Sequence, residues 1–307
     1  MTNRVTVLGS LNVDTILQIE RNPKPGETLS ANEKSNAAGG KGANQAVAAV
    51  RAGAKTAFIG KVGQDGEGEM MINALKVDGI DTAAIAVDAK AGTGSATILL
   101  DSNGQNSILV YGGANQRVTE TEVSAAEQTI AASDFLITQF ETPQETAKVA
   151  FETAKKNGVV TILNPAPATT IDSELLSLTD LVIPNETESA LLTGIDVTDE
   201  ASMDENAAKF REMGAKNLII TVGDKGAYYN TENAGHGFVP AFKVKAVDTT
   251  AAGDTFIGAL SSQLNPDLSN VEEALTFAQR ASSLTVQRLG AMPSIPTIAE
   301  VKEANHQ

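Results

Sequence analysis

Short apolar runs alternate with longer helix-like stretches along most of this chain, and that alternation constrains its fold more than any other feature. The runs are VTVLG (Val5 to Gly9), AFIG (Ala57 to Gly60), FLITQF (Phe135 to Phe140), VVTILN (Val159 to Asn164), LVIPN (Leu181 to Asn185) and LIITVG (Leu218 to Gly223). Strands this short and this uniformly apolar are buried on both faces, which is the condition of a parallel sheet covered by helices. Between them lie ANQAVAAVRAG, EMMINALKVDG, EVSAAEQTIAAS, QETAKVAFETAKKNG and ENAAKFREMG. Four of these stretches close on glycine (Gly53, Gly79, Gly158, Gly214), where a helix C-cap belongs. The pattern predicts an α/β fold, a doubly wound and mostly parallel sheet with helices on both faces.

Two stretches break the rhythm. Residues 14–36 and roughly 92–113 carry strand-like alternation and turn chemistry (NPKPGE, DSNGQNS) but no helix. DSNGQ between TILL and SILVYGG reads as a hairpin. Strands of this kind have no place in the parallel sheet, so the two stretches are expected to meet as a small separate sheet above the C-terminal strand ends, as a lid. An ordinary surface hairpin is the alternative. The 307 residues allow roughly two domains of ~150 residues or one large one; a single domain over 1–307, lid included, is expected.

Composition removes whole classes of function. Lys and Arg number 23 against 38 Asp and Glu, a formal charge of −15, the wrong sign for a polynucleotide partner. One bound nucleotide remains possible, because helix N-termini and backbone amides hold phosphates without a basic surface. The absence of cysteine excludes disulfides, thiolate metal sites and Cys nucleophiles. With only His236 and His306, a His-rich metal site or a Ser-His-Asp triad is hard to build. No run approaches the ~18 apolar residues of a membrane helix, and the N-terminus reads as a strand rather than a signal peptide. No membrane association and a cytoplasmic location are expected.

In an open parallel sheet, ligands sit beyond the carboxyl ends of the strands, and the unusual polar residues fall there. Asn12 and Asp14 follow the first run at i and i+2, on one side of an extended chain, where they suit vicinal sugar hydroxyls. A turn-forming Asx pair explains them equally well. Ala38-Gly39-Gly40-Lys41-Gly42-Ala43-Asn44 opens a helix with close backbone approach, but has neither Walker A nor dinucleotide-fold spacing. Asn185 and Glu188, at i and i+3, offer hard oxygen ligands for water-mediated Mg²⁺; a structural helix start with acidic first-turn residues is the plainer reading.

The most informative stretch is AVDTTAAGDTFIGAL, Ala246 to Leu260. A strand ending at Asp248 passes through small residues into a helix beginning near Ala252. Free N–H groups there form an anion hole for a transferring phosphoryl group. Asp254, in the first turn, can reach an attacking hydroxyl as general base or orienting acceptor.

DTTAAGDTFIGAL resembles the C-terminal signature of the ribokinase-type (phosphofructokinase-B-like) carbohydrate kinases, and GGKGANQAVAAVRAG resembles their N-terminal signature. GSLNVD, PGET, QFETP, NPAPA, PNETE, TVGDKGA and GAMPS match in order, so the resemblance spans essentially the whole chain. It implies a kinase that uses ATP with Mg²⁺ to phosphorylate D-ribose at O5. Asn12, Asp14, Gly40, Lys41, Asn44 and Glu141 would bind the sugar, with Asp254 as base and the amides of Ala251, Ala252 and Gly253 as anion hole. Asn185 and Glu188 would organise Mg²⁺ and the phosphates. Thr221, Gly223, Asp224, Lys225 and Gly226 would line the nucleotide site, and Phe277 to Gln279 would contact adenine, Gln279 standing where close relatives often have His. An activating K⁺ would sit among Asp248, Thr250, Thr285, Arg288, Gly290 and Ser294. Edge strands left bare on the lid predict a homodimer joined through it. Against this stand a kinase of the same family acting on deoxyribose, another sugar or a nucleoside, and a non-catalytic sugar- or nucleotide-binding regulator.

Overall fold

The computed structural model describes residues 2–102 and 105–305. The chain begins with β1 (Arg4–Leu8), β2 (Asn12–Gln18), β3 (Glu33–Gly39), α1 (Lys41–Arg51), β4 (Lys55–Gly63), α2 (Gly66–Val77) and β5 (Asp81–Asp88). There follow β6 (Gly94–Leu100), β7 (Asn106–Tyr111), α3 (Glu120–Ala125), α4 (Glu127–Ala131), β8 (Phe135–Thr138), α5 (Gln144–Lys156) and β9 (Val160–Leu163). Next come α6 (Ser173–Ser177), β10 (Leu181–Val182), α7 (Glu186–Thr193), α8 (Glu200–Glu212), β11 (Asn217–Val222), β12 (Gly226–Thr231) and β13 (Gly235–Pro240). The chain closes with α9 (Ala252–Gln263), α10 (Val271–Thr285) and α11 (Ile298–Ala304).

The main sheet has nine strands in the order β13-β12-β11-β10-β9-β8-β1-β4-β5. From β11 to β5 every pairing is parallel; β12 and β13 are antiparallel additions at one edge. The strand order turns around at β1, between β4 and β8, which is where such sheets open a crevice. Alternate side chains serve two cores. Val5, Val7, Ile219 and Tyr229 pack with residues of α1, α2, α9 and α10, whereas Leu8, Ile220 and Tyr228 pack with residues of α3 to α8. Helices therefore cover both faces, as the alternation of apolar runs required.

The expected glycine stops are real: Gly53, Gly79, Gly158 and Gly214 all have positive φ, between 71 and 110°. Among the strands β5, β12 and β13 escaped the sequence reading, as did the helices α6, α10 and α11. β5 carries three alanines in eight residues, and β12 and β13 each open on glycine, so none presents a continuous β-branched run. EVSAAEQTIAAS, read as one helix, is two short ones that meet at Ala126.

The two irregular stretches do form a separate four-stranded sheet, in the order β3-β2-β6-β7. Its halves meet through the parallel β2/β6 pairing, Asn12 opposite Gly94 through Gln18 opposite Leu100. The bounds differ from 14–36 and 92–113: β2 starts at Asn12 and β3 runs on to Gly39, so the sheet begins inside the site rather than beside it. β6 and β7 pair antiparallel as the hairpin reading required, although Asn103 and Gly104 of its DSNGQ turn lie outside the described residues.

One close approach positions the site. A Cβ on Gly258 of α9 would lie 2.7 Å from the Ala49 nitrogen of α1, so only glycine lets the two helices cross at backbone distance. That crossing brings the first turn of α9 over the start of α1.

Candidate active site

Asp254 lies in the first turn of α9 and is 8 % exposed. Its two carboxylate oxygens accept from different amides on α1: Asn44 Nδ2 donates to Oδ2 and Gln45 Nε2 to Oδ1, each at 3.0 Å. Burial pushes the Asp254 carboxyl above its ordinary value, opposed by the charge of Lys41 and by these two amide bonds. Lys41 is itself buried, which favours its neutral form, yet the carboxylates of Asp254, Glu141 and Glu188 outweigh that and hold its pKa up. A protonated lysine thus stands among carboxylates in a largely dry site.

The turn ahead of Asp254 has the geometry of an anion nest. Ala251 takes the left-handed conformation, φ 59°. The Ala252 N–H is partly engaged, donating to the Thr249 carbonyl at 3.2 Å, so it is a shared donor rather than a free one. A Cβ added to Gly253 would meet no heavy atom within 4 Å, which leaves an open approach to the helix N-terminus. A cavity of about 210 Å³ opens here, lined by Ala251, Ala252, Gly253, Asp254, Lys41, Asn185, Glu188 and Thr221.

The remaining sugar candidates gather under the small sheet. Asn12 Oδ1 accepts from Asn115 Nδ2 at 2.7 Å, and a Cβ on Gly94 would run into both amides. Gly39 similarly makes room for the Asp14 carboxylate. Burial raises Asp14 to about 6, helped by the negative charges of Glu141 and Asp254. Glu141 Oε2 accepts from Ser10 Oγ and from the Lys41 N–H at 3.0 Å, tying the loop after β8 to the head of α1. Gly40 caps that helix at φ 95°, which a side chain would strain. Asn44 keeps its Oδ1 buried without a hydrogen-bond partner in the protein, an acceptor available to a ligand hydroxyl.

A second cavity, about 380 Å³ and more apolar, adjoins the first and shares Thr249 and Ala252 with it. Gly223, Asp224, Phe242, Val244, Gln279, Ser283 and Val286 line it. Gln279 is therefore placed as the nucleotide reading requires. Lys225 and Gly226 line neither cavity: the Lys225 N–H donates to the Val222 carbonyl, and Gly226 packs on β13. Phe277 also stands outside the lining and packs against the core. Asn185 and Glu188 face the first cavity but form a reciprocal capping box on α7, with Asn185 Oδ1 and Glu188 Oε2 engaged at 2.7 and 2.9 Å. The structural explanation of that pair is thus realised, and any metal role is left to the other Glu188 oxygen. Among the described residues no cluster of three or more His, Cys, Asp or Glu side chains forms a metal cage.

Of the residues read as a K⁺ cradle, Asp248, Thr250 and Gly290 are hydrogen-bonded together, while Thr285 and Arg288 bond elsewhere. Asp248 Oδ1 accepts from Thr250 N–H and Oγ1 at 2.9 and 2.7 Å, and Oδ2 accepts from the Gly290 N–H at 2.9 Å. Thr285 Oγ1 bonds Thr255 Oγ1, and Arg288 pairs with Glu300 at 2.6 Å while approaching the Ser294 carbonyl at 3.5 Å.

Sequence reasoning missed Ser10, Gln45, Asn115, Gln139 and Asn164. Four of them stand inside quoted motifs, Ser10 in GSLNVD, Gln45 in GGKGANQAVAAVRAG, Gln139 in QFETP and Asn164 in NPAPA. A buried polar residue ending an apolar run was the available signal. No motif marked Phe242 or Val244, since that loop contributes shape and apolar surface rather than a pattern.

Comparison with known proteins agrees with this geometry. Residues 2–298 match the pfkB family carbohydrate kinase profile. The chain is 50 % identical over 304 residues to the ribokinase of Staphylococcus aureus (strain COL), covering 99 % of this chain and all of that one. It is 44 % identical over 303 residues to the ribokinase of Haemophilus influenzae, covering 99 % of this chain and 98 % of that one. The structure of Arabidopsis thaliana ribokinase complexed with ribose and ATP superposes with a TM-score of 0.91 at 33 % identity, covering 99 % of this chain and 98 % of that one.

Proposed function

Since the chain belongs to the pfkB family of carbohydrate kinases, we propose that it transfers the γ-phosphoryl group of ATP to O5 of D-ribose, giving ribose 5-phosphate. One observation carries this reading: Asp254, a buried carboxylate held by two amides, stands at the head of an anion-binding turn where two adjoining cavities meet. The first cavity is lined by Lys41 and Asp254, and about these two stand Asn44, Glu141 and Asp14, which with Gly40 and Asn12 make a set of donors and acceptors suited to a sugar. The second is apolar enough for a purine and holds Gly223, Asp224 and Gln279.

The transfer needs positioning and charge stabilisation more than covalent chemistry. The sugar hydroxyls are held by the carboxylates and amides beneath the small sheet, which places O5 before Asp254. As O5 attacks phosphorus its proton passes to the Asp254 carboxylate, and the raised affinity of that group for protons suits it to act near neutral pH. The N–H groups of the turn, with Lys41, meet the charge that develops on the phosphoryl oxygens. Mg²⁺ accompanying ATP would supply charge neutralisation of the phosphates; the Glu188 oxygen outside the capping box, a hard carboxylate oxygen facing the first cavity, would hold its waters. A monovalent K⁺ would sit beside the Asp248 carboxylate, whose oxygens already accept from Thr250 and from the Gly290 N–H, and would take its further ligands from carbonyls of the same two loops.

In this reading the chain is one domain with the four-stranded sheet as its lid, works in the cytoplasm where ATP is supplied, and forms a homodimer through that lid. The test is ADP release measured across a panel of ribose, 2-deoxyribose, fructose, adenosine and water. Turnover with ribose at least tenfold above every other acceptor supports the reading. A preference for another acceptor reassigns the substrate, and ligand binding without any ADP release makes the protein a non-catalytic binder.

A further inference from the structure

Beneath Asp254 runs a line of buried amides that ligand binding does not explain. Gln139 Nε2 donates to Gln45 Oε1 at 2.6 Å; Gln45 Nε2 donates to Asp254 Oδ1 at 3.0 Å and to Asn164 Oδ1 at 3.1 Å; Asn164 Nδ2 donates to the Ile183 carbonyl at 3.0 Å. Gln45 and Gln139 are fully buried, so no side chain in the line trades these partners for water. We propose that Gln45 and Gln139 are positioning residues for the phosphoryl-transfer base, forming a one-way amide line that presents a fixed N–H to Asp254. The proposal rests on Asp254 being that base.

The direction of the line follows from chemistry. A backbone carbonyl only accepts, so the Ile183 carbonyl commands the nitrogen of Asn164. The Asn164 oxygen then faces Gln45 and commands its nitrogen, which leaves the Gln45 oxygen turned to Gln139. Gln139 must answer with its own nitrogen. Its Oε1 is left buried without a hydrogen-bond partner in the protein, although hydrogen bonding would ordinarily satisfy such a group. The donor at Asp254 is therefore fixed by residues just past β8 and β9 and by the Ile183 carbonyl, although Asn164 and Ile183 also line the first cavity.

Two consequences follow for the base. With Asn44 on Oδ2 and Gln45 on Oδ1, the carboxylate plane is fixed, and the lone pair that receives the O5 proton keeps one direction. The N–H from Gln45 also favours the ionised carboxylate against the burial that disfavours it. No proton travels along the amides. The proton lost by O5 stays on Asp254 until product leaves. The other charged groups facing Asp254 are Lys41 on α1, Asp14 on β2, Glu141 after β8 and Glu188 on α7, and all are retained in the variants below.

The experiment compares Gln45→Met, Gln139→Met, the double variant and Asp254→Asn, each checked for folding by thermal melting. Ribose affinity is read by calorimetry and single-turnover transfer from ATP is followed against pH. Gln45→Met should lose about 10- to 100-fold in rate, keep ribose affinity within about twofold, and move the acidic limb of the profile to higher pH by about one unit. Gln139→Met should shift both in the same direction but less, and should cost nothing further when Gln45 is already Met. A normal rate in Gln45→Met overturns the proposal. So does a lost rate with an unmoved acidic limb, or an equal Gln139→Met effect on both backgrounds. Should Gln45→Met not fold, Gln139→Met alone decides, by whether rate and acidic limb move together. Asp254→Asn separates the two readings: if it retains turnover, the base assignment fails; if it alone is inactive, only the amide line fails.

Discussion

Asp14 shows how a single side chain can be costly to the fold and necessary to the site. Burial raises its pKa to about 6, with Glu141 and Asp254 adding repulsion, so the folded protein holds its proton more tightly than the unfolded chain does. The stabilising contribution of such a group is full below the unfolded value near 4 and is lost as pH rises through about 6. Asp14→Asn should therefore stabilise the protein at pH 7–8, by on the order of 1–3 kcal/mol, and bring little gain near pH 4. Thermal melts at both pH values check this. The same change removes an acceptor for buried sugar hydroxyls, so ribose KM should rise roughly tenfold or more while ATP KM stays near its original value. An unchanged ribose KM would make Asp14 a turn residue after all. Legibility in the sequence ends at this scale. Asn12, Asp14 and Asp254 could be read from their places after apolar runs, whereas Gln45 and Gln139 could not. Their importance lies in partners almost a hundred or more residues away, and residue spacing carries no trace of such contacts.

At the scale of elements, periodicity served well wherever one rule acted alone. The parallel strands announced themselves because both faces are buried, and the helices announced their ends through glycine. β12 and β13 obey a different rule, since an antiparallel edge hairpin needs only register and small residues where chains approach. The turn from Asp248 to Asp254 joins two such rules. Its Asp248 carboxylate already ties Thr250 to Gly290 across the two loops, which gives some order to the anion nest without any ion. A monovalent cation bound between the two loops would add to that order and preorganise the N–H groups of Ala251 and Gly253. K⁺ should accordingly raise kcat or lower ribose KM relative to Na⁺ at constant ionic strength. Equal rates in K⁺, Na⁺ and tetramethylammonium would mean that Asp248, together with Arg288 near the Ser294 carbonyl, suffices.

The whole molecule is a covered sheet with a second sheet rising from its C-terminal edge, and β7 is where that arrangement is left open. Ile108, Leu109, Val110 and Tyr111 are each more than half exposed on this edge strand. A bare apolar edge is a pairing surface, and the homodimer proposed above would cover it with the lid of a second copy. Light scattering should give the mass of two chains, and Leu109→Lys should shift it toward one while raising ribose KM, because each lid closes its site against its partner. A wild-type mass of one chain at assay concentration would remove the dimer from the account. The crossing of α1 and α9 sets one buried carboxylate beside a polar cavity that adjoins a more apolar one, and the proposed transfer depends on that carboxylate. The most direct measurement is ribose calorimetry together with ATP turnover for Asp254→Asn. Near-normal ribose binding with kcat lowered by at least ~10²-fold is the predicted result; near-normal binding with near-normal turnover would contradict it.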